Sequence, residues 1–449
     1  MKKYYFLLIA LLSIHLLLLV NLRFTAWPEM LSYPYLRNNG YLLYKDMIHP
    51  YPPVLTMALS LVYKLFGYKL IVLKIFTWLI ILANDVLIYL IVKKLTKRNI
   101  FAILSLIFYI TTQPFLEGNQ LWFDLAIVPF ILLGTYFLVQ PSHKASAAAA
   151  GLFFAVAALT KQTAGLFLVF TFLYLVFHKS KIINLVSFLV GPIILFSVLV
   201  FRLITENALV DFFNWTLMYP FTRFGKFPGY VQMALSKHQL LILVLLVIPV
   251  LLVLLKLGKK YLKDKGLLLV TCYLLLSFVL VYPRFSLFHL QTGLAFVAIV
   301  FAVVASKIKT NYFLYIIYFV PFTYLIVLPV IKSEWRKETR FWSNDEIKLA
   351  NIIKDSIGTG DLIYLQDLHS GFYVLADKLP PKPWADNFGW YLEVPGLQEQ
   401  IIKGWETNKP GYIVIKMGTY RPKEITDWIN NNYIKKEEIQ TEIWLWEEK

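Results

Sequence analysis

Long apolar runs separated by short polar segments make up the first three quarters of the chain. Eleven of these runs are close in length to the about 20 residues that a helix needs to cross a bilayer. Lysine and arginine cluster between alternate runs, and placing every cluster in the cytoplasm satisfies the positive-inside rule. The pattern predicts about eleven transmembrane helices, with the N-terminus cytoplasmic and the C-terminus outside. The runs cover residues 5–22, 71–92, 100–116, 121–139, 145–160, 164–178, 183–203, 239–256, 267–282, 291–306 and 312–331.

The composition supports this interpretation. The 449 residues are 58% hydrophobic and 16% charged, whereas a soluble domain carries about 25% charged residues. The net charge of +17 is uneven, because 29 of the 44 basic residues but only 8 of the 27 acidic residues precede Ser333. The basic excess therefore sets the topology of a polytopic α-helical membrane protein and does not indicate nucleic-acid binding.

A change in composition near Ser333 predicts two domains. Residues 1–332 form a transmembrane domain with two long external loops, 23–67 and 206–238, and residues 333–449 form a small extracytoplasmic α/β domain. The second domain contains no Gly-rich phosphate loop, no Cys/His metal spacing and no Ser/His/Asp arrangement. The periodicity there predicts a helix followed by a strand within 347–367, a strand at 411–418, a helix at 422–433 and an edge strand at 437–449.

Six of the eight acidic residues of the transmembrane domain fall at or beyond its external face under this topology. A carboxylate in such a place can act as a general base towards an acceptor hydroxyl. We consider Glu29, Asp46 and Asp124 the candidates. The structural alternatives are that Asp46 pairs with Lys45 or Arg37, and that Asp124 caps a helix N-terminus.

Asp85 is the one acid predicted deep inside a membrane helix, with Asn84 beside it. Such a residue is a functional candidate by default. It falls on the cytoplasmic half of its helix, so we favour a hydrogen-bonded structural role.

Three basic residues recur at the external level, where the topology rule disfavours them: Lys161, Arg284 and His289. Lys161 stands with Gln162 in a break between two helices, and we expect it to have an anionic partner. Together these side chains suit a phosphate, since arginine gives bidentate contacts, lysine a point charge and histidine a donor. The alternative is lipid headgroup binding or snorkelling.

The stretch WPEMLSYPYLRNNGYLLYKDMIHPYPPVLTMALSLVYKLFG resembles the first external loop of GT-C-fold membrane glycosyltransferases, such as the protein O-mannosyltransferases and aminoarabinose transferases. In that family an acidic pair, an aromatic, a glycine, a Tyr-x-Asp and a Pro-rich turn precede an interfacial helix. Where many relatives have Asp-Glu, this chain has Pro28-Glu29. The matching positions are Glu29, Tyr33, Gly40, Tyr44-Lys45-Asp46, Pro50 to Pro53, and Phe66-Gly67.

The resemblance implies a GT-C-like fold and transfer of a sugar from a polyprenyl-phosphate-linked donor to a lipid, glycan or protein acceptor at the external face of the plasma membrane. It implies an inverting reaction that requires no cofactor, although a divalent metal is compatible with it. Glu29, Asp46 or Asp124 is then the base. Lys161, Arg284 and His289 bind the donor phosphate, and the substrate contacts come from Tyr33, Arg37, His49 and Gln162.

Two other functions remain open from the residues alone. A transporter or flippase of lipid-linked sugars would place charged residues along a path at mid-membrane depth. A non-catalytic sensor whose external domain binds glycan would leave the acids of the first loop dispersed.

Overall fold

The computed structural model describes residues 2–139, 143–258, 264–307, 319–358, 360–416 and 421–449. Its contacts divide the chain into two compact units. The first, which we call the helical unit, comprises Met1–Phe24, Lys74–Leu199 and Gln232–Lys337. The second, the mixed unit, comprises Thr25–Leu73, Val200–Val231 and Glu338–Lys449. The contacts thus group the C-terminal segment with much of the two long loops that the sequence analysis assigned to the transmembrane domain.

The chain is largely helical. In chain order the helices are α1 (Lys2–Asn21), α2 (Glu29–Asn38), α3 (Val54–Phe66), α4 (Leu70–Thr96), α5 (Asn99–Thr112), α6 (Phe123–Ala126), α7 (Val128–Leu138), α8 (Lys144–Ala158), α9 (Gly165–Phe177), α10 (Ile182–Thr205), α11 (Leu209–Phe213), α12 (Tyr219–Thr222), α13 (Lys237–Leu257), α14 (Lys265–Val279), α15 (Gln291–Ala305), α16 (Leu328–Glu334), α17 (Asn344–Ser356), α18 (Gly371–Leu375), α19 (Gly389–Leu392), α20 (Leu397–Thr407) and α21 (Lys423–Asn432).

The predicted spans coincide with helices wherever the structure describes them, and the eleventh, 312–331, begins outside the described residues. Among the described residues, four helices are long and apolar enough by themselves to cross a membrane, and shorter apolar helices accompany them. The prediction of a polytopic helical protein is therefore confirmed, while the number of spans stays a prediction. The four long segments are Lys3–Asn21, Leu70–Thr96, Ile182–Thr205 and Leu287–Ala305.

Helix α15 forms the centre of the helical unit. All of its residues, from Gln291 to Ala305, are buried. A helix that is apolar on every side belongs in the interior of a bundle, and α5, α13 and α14 pack against this one.

Glycines allow α8 and α10 to approach closely. A Cβ added at Gly151 would lie 1.8 Å from the carbonyl oxygen of Phe188, and one added at Gly191 would lie 2.8 Å from the Cα of Leu152. Small residues at such a crossing bring two backbones into van der Waals contact, which is how helices associate where no water drives them together.

A buried chain of polar side chains links helices of the same unit. The carboxylate of Asp85 lies 2.7 Å from His15 Nδ1, and His15 Nε2 lies 3.2 Å from Gln113 Oε1. Gln113 Nε2 in turn donates to Gln291 Oε1 at 3.0 Å. Asp85 is thus hydrogen-bonded within the bundle, as expected for a structural role.

The mixed unit contains a four-stranded sheet with β1 (Ile363–Gln366), β2 (Tyr412–Lys416), β3 (Tyr433–Gln440) and β4 (Ile443–Glu448). The strand order is β1-β2-β4-β3, with β1 and β2 parallel and the other pairs antiparallel. The predicted order of helices and strands is confirmed for the described residues; Met417 and Gly418 of one predicted strand lie outside them. The edge-strand prediction for 437–449 is confirmed for 437–440, which end β3 at the sheet edge, and wrong for 443–448, because β4 pairs on both sides.

The first loop is held within the mixed unit by side-chain and backbone bonds. Tyr35 donates from its hydroxyl to Asp377 Oδ1 at 3.0 Å, and Ser32 Oγ donates to Ser370 Oγ at 3.0 Å. The backbone N–H of Ile48 donates to the carbonyl of Trp384 at 2.9 Å. These bonds fix α2 and the turn that follows it, and they set the positions of the acids discussed below.

Candidate functional site

Asp124, Lys161 and His289 meet at helix junctions of the helical unit, and we call them the ion triad. Asp124 is in the first turn of α6. Lys161 directly precedes the 3-10 turn Gln162–Ala164 between α8 and α9, and His289 lies in the 3-10 turn Leu287–Leu290 before α15. Each side chain therefore comes from a place where an apolar helix is interrupted.

Both oxygens of the Asp124 carboxylate are engaged. Lys161 Nζ donates to Oδ1 at 2.6 Å, and His289 Nδ1 lies 2.8 Å from Oδ2. Lys161 Nζ also donates to the carbonyl of Leu280 at 3.4 Å. Asp124 is fully buried and the Lys161 side chain is 9% exposed, so removing either partner would leave a desolvated charge.

This geometry makes Asp124 a holder of basic groups. Because its carboxylate accepts from Nδ1 of His289, the Nε2 atom is the ring nitrogen left to meet a ligand. Lys161 keeps a third ammonium hydrogen beyond the two bonds described. A base role for Asp124 stays a prediction. To accept a proton from a substrate, its carboxylate would first have to be released from these bonds.

Glu117 positions the segment that carries His289. Its carboxylate accepts hydrogen bonds from Ser286 Oγ at 3.1 Å and from the backbone N–H of Phe288 at 3.3 Å. Arg284 precedes this segment and is half-buried. Its own stretch is fixed by an isolated bridge to Gln232.

Glu29 is the buried acid of the mixed unit. It opens α2 and is 6% exposed. Among the described residues, its Oε2 atom has no hydrogen-bond partner. A buried carboxyl oxygen without a partner is costly in a folded protein and is common where a group is kept ready for a ligand.

Asp386 is the acid that acts on Glu29, and we call the two residues the carboxyl pair. Asp386 is 6% exposed. Ser370 Oγ donates to its Oδ2 at 3.0 Å, and the backbone N–H of Asn387 donates to its Oδ1 at 3.0 Å. Sequence reasoning missed Asp386, because nothing in its neighbourhood distinguishes it from the other acids of the C-terminal segment.

The carboxyl pair holds one proton at neutral pH. Burial, and then the charge of Asp386, raise the pKa of Glu29 to about 8. Burial raises the pKa of Asp386 to about 6, while the hydrogen bonds from Ser370 and Asn387 and the charge of His369 act to lower it. Two close carboxyls cannot both ionise easily, so near pH 7 the proton resides on Glu29.

Asp46 has a different set of partners. Its Oδ2 accepts from Lys382 Nζ at 2.9 Å and from the backbone N–H of Leu42 at 3.0 Å. The structural alternative expected Lys45 or Arg37 as its partner, and the salt bridge instead goes to Lys382. These contacts show that Asp46 stabilises the turn after α2. Its catalytic role stays a prediction.

His49 is fully buried and bonded at both ring nitrogens. Nδ1 lies 2.6 Å from the carbonyl oxygen of Tyr51, and Nε2 lies 2.7 Å from Thr56 Oγ1. Burial lowers the pKa of His49 to about 4, so its ring is neutral at pH 7. The ring of Tyr33 packs edge-on against it, with the centroids 5.0 Å apart.

Arg37 lies in the last turn of α2 and is half-buried. Its pKa is lowered by burial and then by the charge of Arg202, and the charge of Glu206 opposes this effect. Arg202 Nε donates to Glu206 Oε1 at 2.9 Å. The group therefore holds two guanidinium ions and one carboxylate, which is an arrangement that favours an added anion.

Within the described ranges, no group of three or more His, Cys, Asp or Glu side chains is arranged to hold a metal ion. Gln162, the remaining predicted substrate residue, opens the 3-10 turn after Lys161 and is half-buried. The substrate roles of Tyr33, Arg37, His49 and Gln162 stay predictions.

Comparison with known proteins supports the resemblance seen in the sequence. The family model of dolichyl-phosphate-mannose-protein mannosyltransferases matches residues 49–204, a stretch that contains Asp124 and Lys161. Comparison with curated protein sequences gives no match.

Solved structures match over almost the whole chain. ArnT from Cupriavidus metallidurans, bound to undecaprenyl phosphate, has a TM-score of 0.61 and 12% identity, covering 99% of this chain and 98% of ArnT. The archaeal oligosaccharyltransferase AglB from Archaeoglobus fulgidus, in complex with an inhibitory peptide and a dolichol-phosphate, has a TM-score of 0.60 and 12% identity, covering 92% of this chain and 69% of AglB.

The arabinofuranosyltransferase AftD from Mycobacteria has a TM-score of 0.52 and 12% identity, covering 98% of this chain and 39% of AftD. All of these proteins are GT-C-fold glycosyltransferases, so the predicted resemblance is confirmed. At these identities the comparison establishes the fold of the chain.

Proposed function

We propose that this GT-C-fold protein is a membrane glycosyltransferase that moves a sugar from a polyprenyl-phosphate-linked donor to an acceptor at the external face of the membrane. The observation that carries the proposal is the likeness over 99% of the chain to a structure bound to undecaprenyl phosphate. In this proposal the N-terminus is cytoplasmic and residues 333–449 are extracytoplasmic, as the basic clusters predict.

The ion triad suits the leaving group of this reaction. When the bond between the anomeric carbon and the phosphate oxygen breaks, negative charge grows on the polyprenyl phosphate. Lys161 and His289 are both held by Asp124, at 2.6 and 2.8 Å. Lys161 donates to that charge from a fixed position, and so does His289 Nε2 when the ring carries a proton on both nitrogens. Fixed donors in a dry site stabilise a developing anion more than solvent does. We assign Arg284 to the same phosphate, following the sequence analysis.

Glu29 suits the role of base. It is buried, it has a carboxyl oxygen free of hydrogen bonds in the described part of the chain, and its pKa lies near the working pH. In the ionised form it takes the proton of the acceptor hydroxyl while the hydroxyl oxygen bonds to the anomeric carbon. Attack opposite the departing phosphate inverts the configuration at that carbon.

Asp46 and Asp124 are assigned positioning roles, because each carboxylate is already engaged. Asp46 holds the turn after α2 through Lys382 and Leu42. Asp124 holds Lys161 and His289. His49, neutral and bonded at both nitrogens, supports the Pro-rich turn, and Arg37 offers a cation to the substrate.

The test is transfer of a labelled sugar in membranes supplied with polyprenyl-linked donors, using Glu29→Gln, Asp46→Asn and Asp124→Asn separately. We expect Glu29→Gln to lose at least about 100-fold in rate, the usual cost of removing a general base. Asp46→Asn should keep most of the activity. Asp211→Asn is the control. Asp211 is also an acid that the topology predicts at the external face, but it belongs neither to the ion triad nor to the carboxyl pair. Near-normal turnover in all three variants would show that the mechanism through external acids is wrong.

A further inference from the structure

A cavity lies in the helical unit, separate from the ion triad. Its volume is about 580 Å³. The ends of α7 and α9 and the starts of α8 and α14 surround it. We call it the basic cavity, because its lining includes Lys94, His143, His178, Lys179, Lys181 and Lys265.

The basic cavity is at the opposite end of the bundle from the ion triad. Helix α8 begins at Lys144, beside His143, and ends three residues before Lys161. Its 15 residues rise about 22 Å. Helix α9 returns from the triad to His178, and α14 leads from Lys265 towards Leu280, whose carbonyl Lys161 contacts. Under the predicted topology this end is cytoplasmic.

The charges of the cavity are unbalanced. Asp264 is the carboxylate in the lining. It is already used, because it pairs with Lys307 and accepts from the backbone N–H of Leu267 at 2.9 Å as the cap of α14. In the part of the chain that the structure describes, Lys179 and Lys181 form no salt bridge, and neither do the other two lysines of the lining.

The walls of the cavity are tied together. The Tyr174 and His178 rings stack with centroids 4.0 Å apart, and His178 Nδ1 lies 2.9 Å from the carbonyl oxygen of Tyr174. The Tyr174 hydroxyl donates to the carbonyl of Lys265 at 3.0 Å. The end of α9 is therefore fixed to the start of α14, with basic side chains on both.

Apolar surface borders the basic groups. Phe177 and Ile182 are each 78% exposed, and they lie just outside the pair Lys179 and Lys181 in sequence. Phe137 and Leu138 of α7 line the cavity itself. Cationic side chains next to exposed apolar ones at the end of a membrane helix bundle are the arrangement that anionic lipid headgroups recognise.

We propose that the basic cavity binds a phosphate-bearing anion, and that its source is the headgroup of an anionic phospholipid whose chains lie against the neighbouring apolar surface. The lysines neutralise the phosphate, and the ring of His178 and the hydroxyl of Ser180, which also line the cavity, offer hydrogen bonds to its oxygens. The site is independent of the transfer reaction.

The experiment titrates phosphatidylglycerol into the full-length protein in phosphatidylcholine nanodiscs and follows bound lipid by native mass spectrometry. The variant is Lys179→Ala with Lys181→Ala, and the matched control is Lys354→Ala with Lys403→Ala, two exposed lysines of the mixed unit. A lysine near a membrane surface contributes roughly fivefold in affinity, so the cavity variant should bind about 30-fold more weakly. The control should bind as the wild type does.

Several results would overturn the proposal. Equal phosphatidylglycerol binding in the cavity variant and the control would show that the cavity is not the site. Binding unaffected by salt would contradict a site made of lysines. Binding of inorganic phosphate at constant ionic strength, with no binding of phosphatidylglycerol, would show that the anion comes from solution, which overturns the lipid as its source. A thermal transition matching that of the wild type shows that each variant is folded.

Discussion

Replacing Asp386 by Asn should move the pH dependence of sugar transfer to lower pH. The charge of Asp386 is one of the two causes that raise the pKa of Glu29. Asn is nearly the same size and keeps one oxygen that can accept from Ser370 or Asn387. The substitution therefore removes the charge while preserving most of the packing, and Glu29 ionises more easily.

The size of the effect follows from the ionised fraction of Glu29. With a pKa of about 8, roughly a tenth of Glu29 is ionised at pH 7 and about half at pH 8. If the ionised form is the base, kcat/KM of the wild type should rise about tenfold from pH 6 to pH 7 and about fivefold from pH 7 to pH 8. In the Asp386→Asn variant the increase of kcat/KM from pH 7 to pH 8 should be clearly smaller, because more Glu29 is already ionised at pH 7.

The assay is transfer from a labelled polyprenyl-phosphate sugar by purified protein, at constant ionic strength across this range. Asp377→Asn is the matched control: Asp377 belongs to the same unit and accepts from Tyr35 at 3.0 Å, but it is not among the causes of the Glu29 shift. Its pH profile should equal that of the wild type. A wild-type rate that does not change from pH 6 to pH 8, or an Asp386→Asn profile that does not move, would refute the assignment of Glu29 as base.

Three further changes test the packing and charge arguments, each by thermal unfolding in detergent. Lys161→Met leaves Asp124 buried without its cation and should destabilise the protein by roughly 3–5 kcal/mol and abolish transfer; an unchanged unfolding temperature would contradict the buried ion pair. The pKa of Glu29 in the folded protein lies above its ordinary value of 4.5, so its protonated form favours folding, and this stability is lost as pH rises through about 8. Glu29→Gln should therefore be more stable than the wild type at about pH 9, by up to roughly 5 kcal/mol, with little difference at about pH 5. Gly151→Ala places a Cβ 1.8 Å from a carbonyl oxygen of α10 and should cost about 1–3 kcal/mol, whereas Gly225→Ala, with nothing within 4 Å, should be neutral.

The helices could be predicted from sequence because each apolar run is bounded by basic residues, Pro or Gly. The predicted run 164–178 corresponds to α9 (Gly165–Phe177), and 183–203 corresponds to α10 (Ile182–Thr205). The run 121–139 was less well predicted, since it divides at Ile127 into α6 and α7. A hydropathy pattern does not reveal the end of a helix where the residues at that point are themselves apolar.

Part of the ion triad could also be predicted. The sequence predicts an anionic partner for Lys161, because the positive-inside rule disfavours basic residues at the external face. The sequence did not identify that partner as Asp124, or show that His289 would share it. These residues come from three separate helix junctions, at the start of α6, between α8 and α9, and before α15, and only the tertiary packing of the helical unit brings them together.

The carboxyl pair lay beyond sequence reasoning. The sequence shows Pro28-Glu29 where many relatives of the GT-C family have Asp-Glu, so one acid of the family pair is absent here. It does not show that Asp386 lies near Glu29, because Asp386 is one of many acids after Ser333. Its approach to Glu29 depends on the bonds that Ser32 and Ser370 form across two distant segments. Local periodicity carries no information about such a pairing, and the same limit explains why β4 was wrongly expected at a sheet edge.

The most direct test of the account is transfer by the purified protein itself. The protein is incubated with a panel of polyprenyl-phosphate-linked sugars and acceptors, and the released polyprenyl phosphate and the glycosylated product are both quantified. The account predicts that one donor gives equal amounts of the two products, with the anomeric configuration inverted, and that Glu29→Gln abolishes both. Movement of intact lipid-linked sugar across the bilayer, with no sugar transferred from any donor, would contradict it.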